Sequence, residues 1–157
     1  MKKLLLTLVF VLCCLSITAQ EHSCSFHPYF IGGQELLYTT VRIGDLVFKD
    51  CLIDTGASYL YLTSDDLAAL KKAGIITSKT PTGKSTTKLV DESKALRMQY
   101  YKLKGVTLEG ARINKELIVI FDTANPNNKA RLIGKDVLDQ FSSFSYNKKD
   151  NTFTLYW

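Results

Sequence analysis

Leu52-Ile53-Asp54-Thr55-Gly56-Ala57-Ser58 sets two apolar residues ahead of a carboxylate, a hydroxyl, a glycine and two small residues. The apolar pair reads as the end of a buried strand. Gly56 predicts a sharp turn at φ values that other residues avoid, with room for close approach. Such a turn presents Asp54 at the strand's end, where backbone N–H groups can hold its carboxylate. The plain alternative is a turn aspartate after a strand, since Asp and Gly are both turn formers.

A second stretch bears on that choice. About eighty residues further on the chain reads Arg131-Leu132-Ile133-Gly134-Lys135-Asp136-Val137-Leu138, then Asp139-Gln140-Phe141. An apolar-Asp-Thr-Gly-Ala-Ser loop followed by Leu-Ile-Gly-Lys-Asp-Val-Leu resembles the retropepsin-like, single-domain aspartic proteases of the short, secreted bacterial type. The resemblance runs from about Leu36 to Trp157. It implies a small closed β-barrel with one or two short helices. In it Leu132, Ile133 and Gly134 thread beside the catalytic loop, and Asp136 gives structural support at the start of a helix. Asp54 is the implied catalytic residue, with Thr55, Gly56, Ala57 and Ser58 as loop support. This chemistry pairs two carboxylates that share one proton, because two like charges so close cannot both ionise. The chain has one Asp-Thr-Gly, so the second carboxylate has to come from Asp54 of another copy across a two-fold axis. The implied partners are a peptide or protein substrate and a second subunit. Water is the nucleophile, and neither metal nor organic cofactor is called for. The Tyr59, Leu60 and Tyr61 side is expected to help line the cleft.

The first residues read as a targeting segment. Lys2 and Lys3 precede an apolar run from Leu4 to Ile17, and Ile17-Thr18-Ala19 suits cleavage before Gln20. The run is short for a membrane span, and the residues before Cys13 and Cys14 fit lipidation poorly. The expectation is an exported chain, periplasmic or secreted, with no stable membrane anchor. Residues 1–19 are the signal peptide, 20–35 an N-terminal segment and 36–157 the protease-like domain. The 138 residues that remain suffice for one ordinary core. Without Lys2 and Lys3 the formal charge falls from +5 to +3. Its lysines are scattered, which points to a solvated surface and not to nucleic acid.

Cys24 and Cys51 survive cleavage, and in an oxidising compartment they are a candidate disulfide, worth on the order of 3 kcal/mol in the chain-entropy model. A cysteine nucleophile is disfavoured: Cys51 alternates with the core positions of its strand, and no histidine is near in sequence. His22 and His27 flank Cys24 in an N-terminal stretch read as mobile, which is a poor frame for zinc. Thr82-Gly83-Lys84-Ser85 ends like a phosphate-binding loop, but Ser78 stands where that motif needs glycine, and the stretch reads as a turn.

Periodicity predicts mostly β structure. Leu36–Ile43 and Leu46–Ile53 form a hairpin across Gly44-Asp45. A short strand over Tyr59–Leu62 leads to a helix with Ser64 as N-cap, Leu67 and Leu70 on one face, and Gly74 as its stop. Lys84–Val90 and Ala95–Leu103 form a long hairpin whose tip, Asp91-Glu92-Ser93, is the candidate flap. That tip carries no glycine, unlike the usual flap in the family. Strands over Val106–Leu108 and Arg112–Phe121 follow, then a polar loop, the threading strand, a helix over Lys135–Phe141 and a last hairpin of Phe144–Tyr146 with Phe153–Trp157. Two rivals keep the strands: a catalytically silent secreted binding or assembly module on the same fold, and an unrelated small barrel carrying both motifs by chance.

Overall fold

The computed structural model describes residues 23–33, 36–78, 81–88, 95–123 and 127–157. The strands are β1 (Ser23–Phe26), β2 (Tyr38–Ile43), β3 (Leu46–Ile53), β4 (Leu60–Thr63), β5 (Gly83–Lys88), β6 (Ala95–Leu103), β7 (Val106–Leu108), β8 (Ala111–Arg112), β9 (Leu117–Asp122), β10 (Arg131–Ile133), β11 (Ser143–Asn147) and β12 (Thr152–Tyr156). Helix α1 (Ser64–Lys72) follows β4, and α2 (Lys135–Leu138) follows β10. The expected order of elements is present, with one strand divided: polar Asn114-Lys115-Glu116 separates β8 from β9.

The expected closed barrel is not. Nine strands form one sheet in the order β5-β6-β9-β4-β10-β3-β2-β7-β8, and no ladder joins β5 to β8 among the described residues. A separate sheet holds β1-β12-β11. The reason is how the chain ends are used. β1 pairs along β12 from Ser23↔Tyr156 to Phe26↔Phe153, and β11 takes the other side of β12. Phe153 thereby stacks between Phe26, at 5.3 Å, and Phe144, at 5.6 Å. The N-terminal stretch read as mobile is therefore a strand, and His27 Nδ1 lies 3.1 Å from the Asn151 carbonyl oxygen.

Buried side chains from both sheets and both helices form one core, including Val41, Ile43, Leu60, Leu62, Leu70, Leu108, Phe121, Ile133 and Leu155. Two local devices put them there. The first is a bulge in the β2/β3 ladder, where Thr39 pairs with Cys51 but Val41 pairs with Phe48. Strict alternation from Phe48 would turn Asp50 inward and Cys51 outward. The extra residue reverses this, burying Cys51 while Asp50 takes φ 57°. The bulge's loose polar groups are satisfied from outside the ladder. Tyr29 Oη donates to Asp50 Oδ1 at 2.9 Å and accepts from the Asp50 N–H at 2.7 Å. Glu109 Oε1 accepts from Thr39 Oγ1 at 2.7 Å and from the Thr40 N–H at 2.9 Å.

The second device is the start of α1. Its N-cap is Thr63, one residue before the expected Ser64. Thr63 Oγ1 accepts from the Asp66 N–H, and the Thr63 N–H donates to Asp66 Oδ2, a reciprocal capping box. Thr63 wins because its partner three residues on is a carboxylate, whereas Ser64 would face Leu67.

The expected disulfide is absent: both cysteines are free thiols. Cys24 sits in the small sheet, opposite Leu155, with its Sγ 3.6 Å from the Glu109 carbonyl oxygen. Cys51 sits in the large sheet, with its Sγ 3.3 Å from the Phe48 carbonyl oxygen. The bulge that buries Cys51 directs it into the core and away from β1. Thr82-Gly83-Lys84-Ser85, expected as a turn, instead opens β5. Gly83 is opposite Tyr100, and a Cβ at Gly83 would fall inside the Tyr100 ring.

Candidate active site

Asp54 follows the last residue of β3. The neighbouring strand β10 runs parallel to β3, pairing Ile133 with Ile53, and its Ile133 carbonyl accepts the Asp54 N–H at 3.0 Å. On the other side the Ile53 N–H donates to the Leu37 carbonyl at 2.8 Å. The chain then turns, with the Ala57 N–H on the Asp54 carbonyl at 3.1 Å, and leaves as β4, which pairs with the other edge of β10. Two further bonds fix the loop against α2: Lys135 N–H to the Ala57 carbonyl at 2.8 Å and Asp136 N–H to the Ser58 carbonyl at 2.9 Å. Asp54 is thus held by backbone on every side, so its position does not depend on side-chain rotamers.

The Asp54 carboxylate is half-buried and accepts the Gly56 N–H on Oδ1 at 2.9 Å. Among the described residues its other oxygen accepts no hydrogen bond. Gly56 is glycine for a different reason from the one its motif suggests. Its φ is not positive; instead a Cβ there would stand 3.2 Å from Asp54 Oδ1, crowding the carboxylate its N–H supports. The demand at Gly134 is stronger. A Cβ would lie 2.7 Å from the Ala57 carbonyl oxygen and closer still to that of Tyr59. Only a residue without a side chain lets β10 pass beside the loop.

The structure brings Asp54, Thr55, Gly56, Ala57 and Ser58 together with Leu132, Ile133, Gly134 and Asp136. Thr55 and Ser58 are exposed, and Asp136 touches the loop through its main chain. Leu60, expected toward the cleft, is fully buried in the core, with Tyr59 and Tyr61 half-buried on either side. Burial raises the Tyr61 pKa above its ordinary value. The β5/β6 arms of the candidate flap pair from Gly83↔Tyr100 to Lys88↔Ala95, while Asp91, Glu92 and Ser93 lie outside the described residues.

One part of the frame has no counterpart among the sequence expectations. Arg131 opens β10 and grips Asp66 with a fork: Nε to Oδ2 and Nη2 to Oδ1, both at 2.8 Å. Its Nη1 donates to the Lys49 carbonyl at 3.0 Å. One guanidinium thereby ties β10, the bulge of β3 and the first turn of α1. Burial acts to raise the Asp66 pKa, but the Arg131 fork and the Thr63 N–H outweigh it and hold the carboxyl below the usual carboxylate range. The signal for this pair was an arginine before an apolar run and an acid at a helix start, a pattern too common to assign from sequence. Burial pushes the nearby Cys51 thiol up to about 12, only partly offset by Arg131. Cys51 is therefore a neutral core thiol at physiological pH.

No protein-family model matches the chain. No curated protein matches it in sequence. Its structure is similar to the crystal structure of a retropepsin-like aspartic protease from Rickettsia conorii, with a TM-score of 0.62 and 18% identity over 88% of this chain and 94% of that one. The fold is that of the retropepsin-like aspartic proteases. At this identity the likeness speaks for the fold alone, so the chemistry rests on the Asp54 loop.

Proposed function

We propose that the chain is an exported aspartic endopeptidase that works as a homodimer, each subunit supplying Asp54. The observation that carries this reading is a carboxylate held rigidly by backbone and bonded to a single N–H. Two such groups facing each other share one proton and titrate as a unit. The ionised member takes a proton from water as the water oxygen bonds to the scissile carbonyl carbon. The protonated member gives its proton to the carbonyl oxygen, yielding a neutral tetrahedral diol. Collapse breaks the C–N bond, with a proton passing to the leaving nitrogen. Thr55 and Gly56 orient the carboxylates, and the β5/β6 hairpin is the element suited to cover a bound peptide.

The test is cleavage of a mixed peptide library by the mature chain from acidic to neutral pH, beside Asp54→Asn. Cleavage by the wild type alone, rising with the square of subunit concentration where monomer predominates, is the expected result. A dimeric wild type that cleaves nothing sinks the protease reading and leaves a binding module on the same fold.

A further inference from the structure

The large apolar side chains left exposed are not scattered at random. Among the described residues six stand out, and three of them, Phe30, Ile31 and Leu36, lie in the short connection between β1 and β2 at 47%, 40% and 41% exposure. Single exposed apolar residues are ordinary, but a cluster marks a contact surface.

The connection is held in place at its base. Tyr29 and Tyr38 exchange two backbone hydrogen bonds at 2.9 Å, and the Tyr29 hydroxyl is locked on Asp50. Gly32 and Gly33 turn the chain at φ 66° and 72°. Leu37 packs on the core, and its carbonyl accepts the N–H of Ile53, the residue before Asp54. Through that hydrogen bond Leu36 lies within roughly 15 Å of Asp54, Cα to Cα, even if every intervening step were fully extended.

Position selects the occupant. If Asp54 meets its twin at hydrogen-bond distance, the two-fold axis passes beside Asp54, and the second subunit faces whatever flanks that residue at the surface. Composition agrees. Glu35 is the one charged residue between His27 and Arg42. Near a two-fold axis each side chain approaches its own copy, so charge repels itself while apolar surface is self-complementary. A patch anchored at its base also loses little freedom on docking.

We propose that Phe30, Ile31 and Leu36 form a self-docking patch through which a second copy of this chain is held against the Asp54 loop. The inference rests on the homodimer reading and names the surface that builds it.

The test compares the mature wild type with Phe30→Ser/Ile31→Ser/Leu36→Ser and, as a control, Val47→Ser. Val47 is equally apolar and 40% exposed, but lies at the opposite end of β3 from Asp54. Sedimentation equilibrium gives the dimer dissociation constant, circular dichroism the fold, and peptide cleavage the activity. The triple variant is expected to stay folded, to dissociate roughly 100-fold more readily and to lose activity at concentrations where the wild type is dimeric. Val47→Ser is expected to match the wild type. A triple variant as dimeric as an active wild type overturns the patch and leaves the protease standing; a raised KM in that dimer assigns the residues to substrate. A wild-type dimer that cleaves nothing but is broken by the triple substitution supports the patch and sinks the protease. A wild type that stays monomeric at every concentration overturns both.

Discussion

Asp54 and Asp66 lie on either side of β4, and their surroundings are opposite. Asp66 has a side chain only 6% exposed and accepts three hydrogen bonds, two from Arg131 and one from the Thr63 N–H. Asp54 is half-buried and accepts one, from Gly56. A saturated carboxylate is spent on structure, since its lone pairs are occupied and its proton affinity is low. A carboxylate fixed in place but sparsely bonded keeps capacity for water, substrate or a second acid. The Arg131–Asp66 pair therefore braces β3, β10 and α1, and the Asp54 loop is what that brace holds still.

The sharpest way to break the contrast is to neutralise each acid in turn. Asp54→Asn is expected to cut peptide cleavage by at least about 10³-fold while moving the melting temperature by no more than about 2 °C. A large loss of stability in that variant would make Asp54 structural like Asp66. Gly134→Ala drives a methyl into the Ala57 and Tyr59 backbone and is expected to cost about 4 kcal/mol, measured by urea unfolding. Asp66→Ala strands the Arg131 guanidinium and is expected to cost about 3 kcal/mol; Asp66→Leu with Arg131→Met should recover much of that, because an apolar pair leaves no unpaired charge.

Acid sharpens the same comparison. The Asp66 pKa is lowered in the folded chain, so its contribution is present above the ordinary carboxylate range and is lost as pH falls through the folded value. The melting temperature of the Asp66→Leu/Arg131→Met variant should therefore fall less steeply below about pH 4 than that of the wild type. Equal slopes would remove Asp66 from the acid response. The smallest effect belongs to the thiols: Cys24→Ser, or a reducing agent on the wild type, should shift stability by less than about 0.5 kcal/mol, since Cys24 and Cys51 are not joined.

Most of the strand order could be read from local pattern, because a half-buried strand writes its alternation into the chain and Gly-Asp, Glu-Gly and Lys-Asp-Asn mark its turns. The threading of β10 beside the Asp54 loop was legible from two motifs with matching small residues. The bulge at Asp50 was not, since it depends on Tyr29 and Glu109, which are remote in sequence. That one displaced residue set the fate of Cys51 and with it the disulfide expectation. The strand β1 was missed for a related reason: Ser23–Phe26 has weak alternation and becomes a strand because β12 offers an edge and Phe153 a stacking surface. The same pairing uses up the chain ends and leaves the large sheet open.

By itself, the sequence determined the strand-rich architecture and the acid–hydroxyl–glycine turn, because periodicity and turn chemistry act between residues close along the chain. The tertiary structure alone decided which carboxylate is saturated and which is left with capacity, why Gly56 and Gly134 must lack a side chain, and where exposed apolar surface gathers. Those outcomes depend on distances between segments far apart in sequence, which exist only once the sheets have formed.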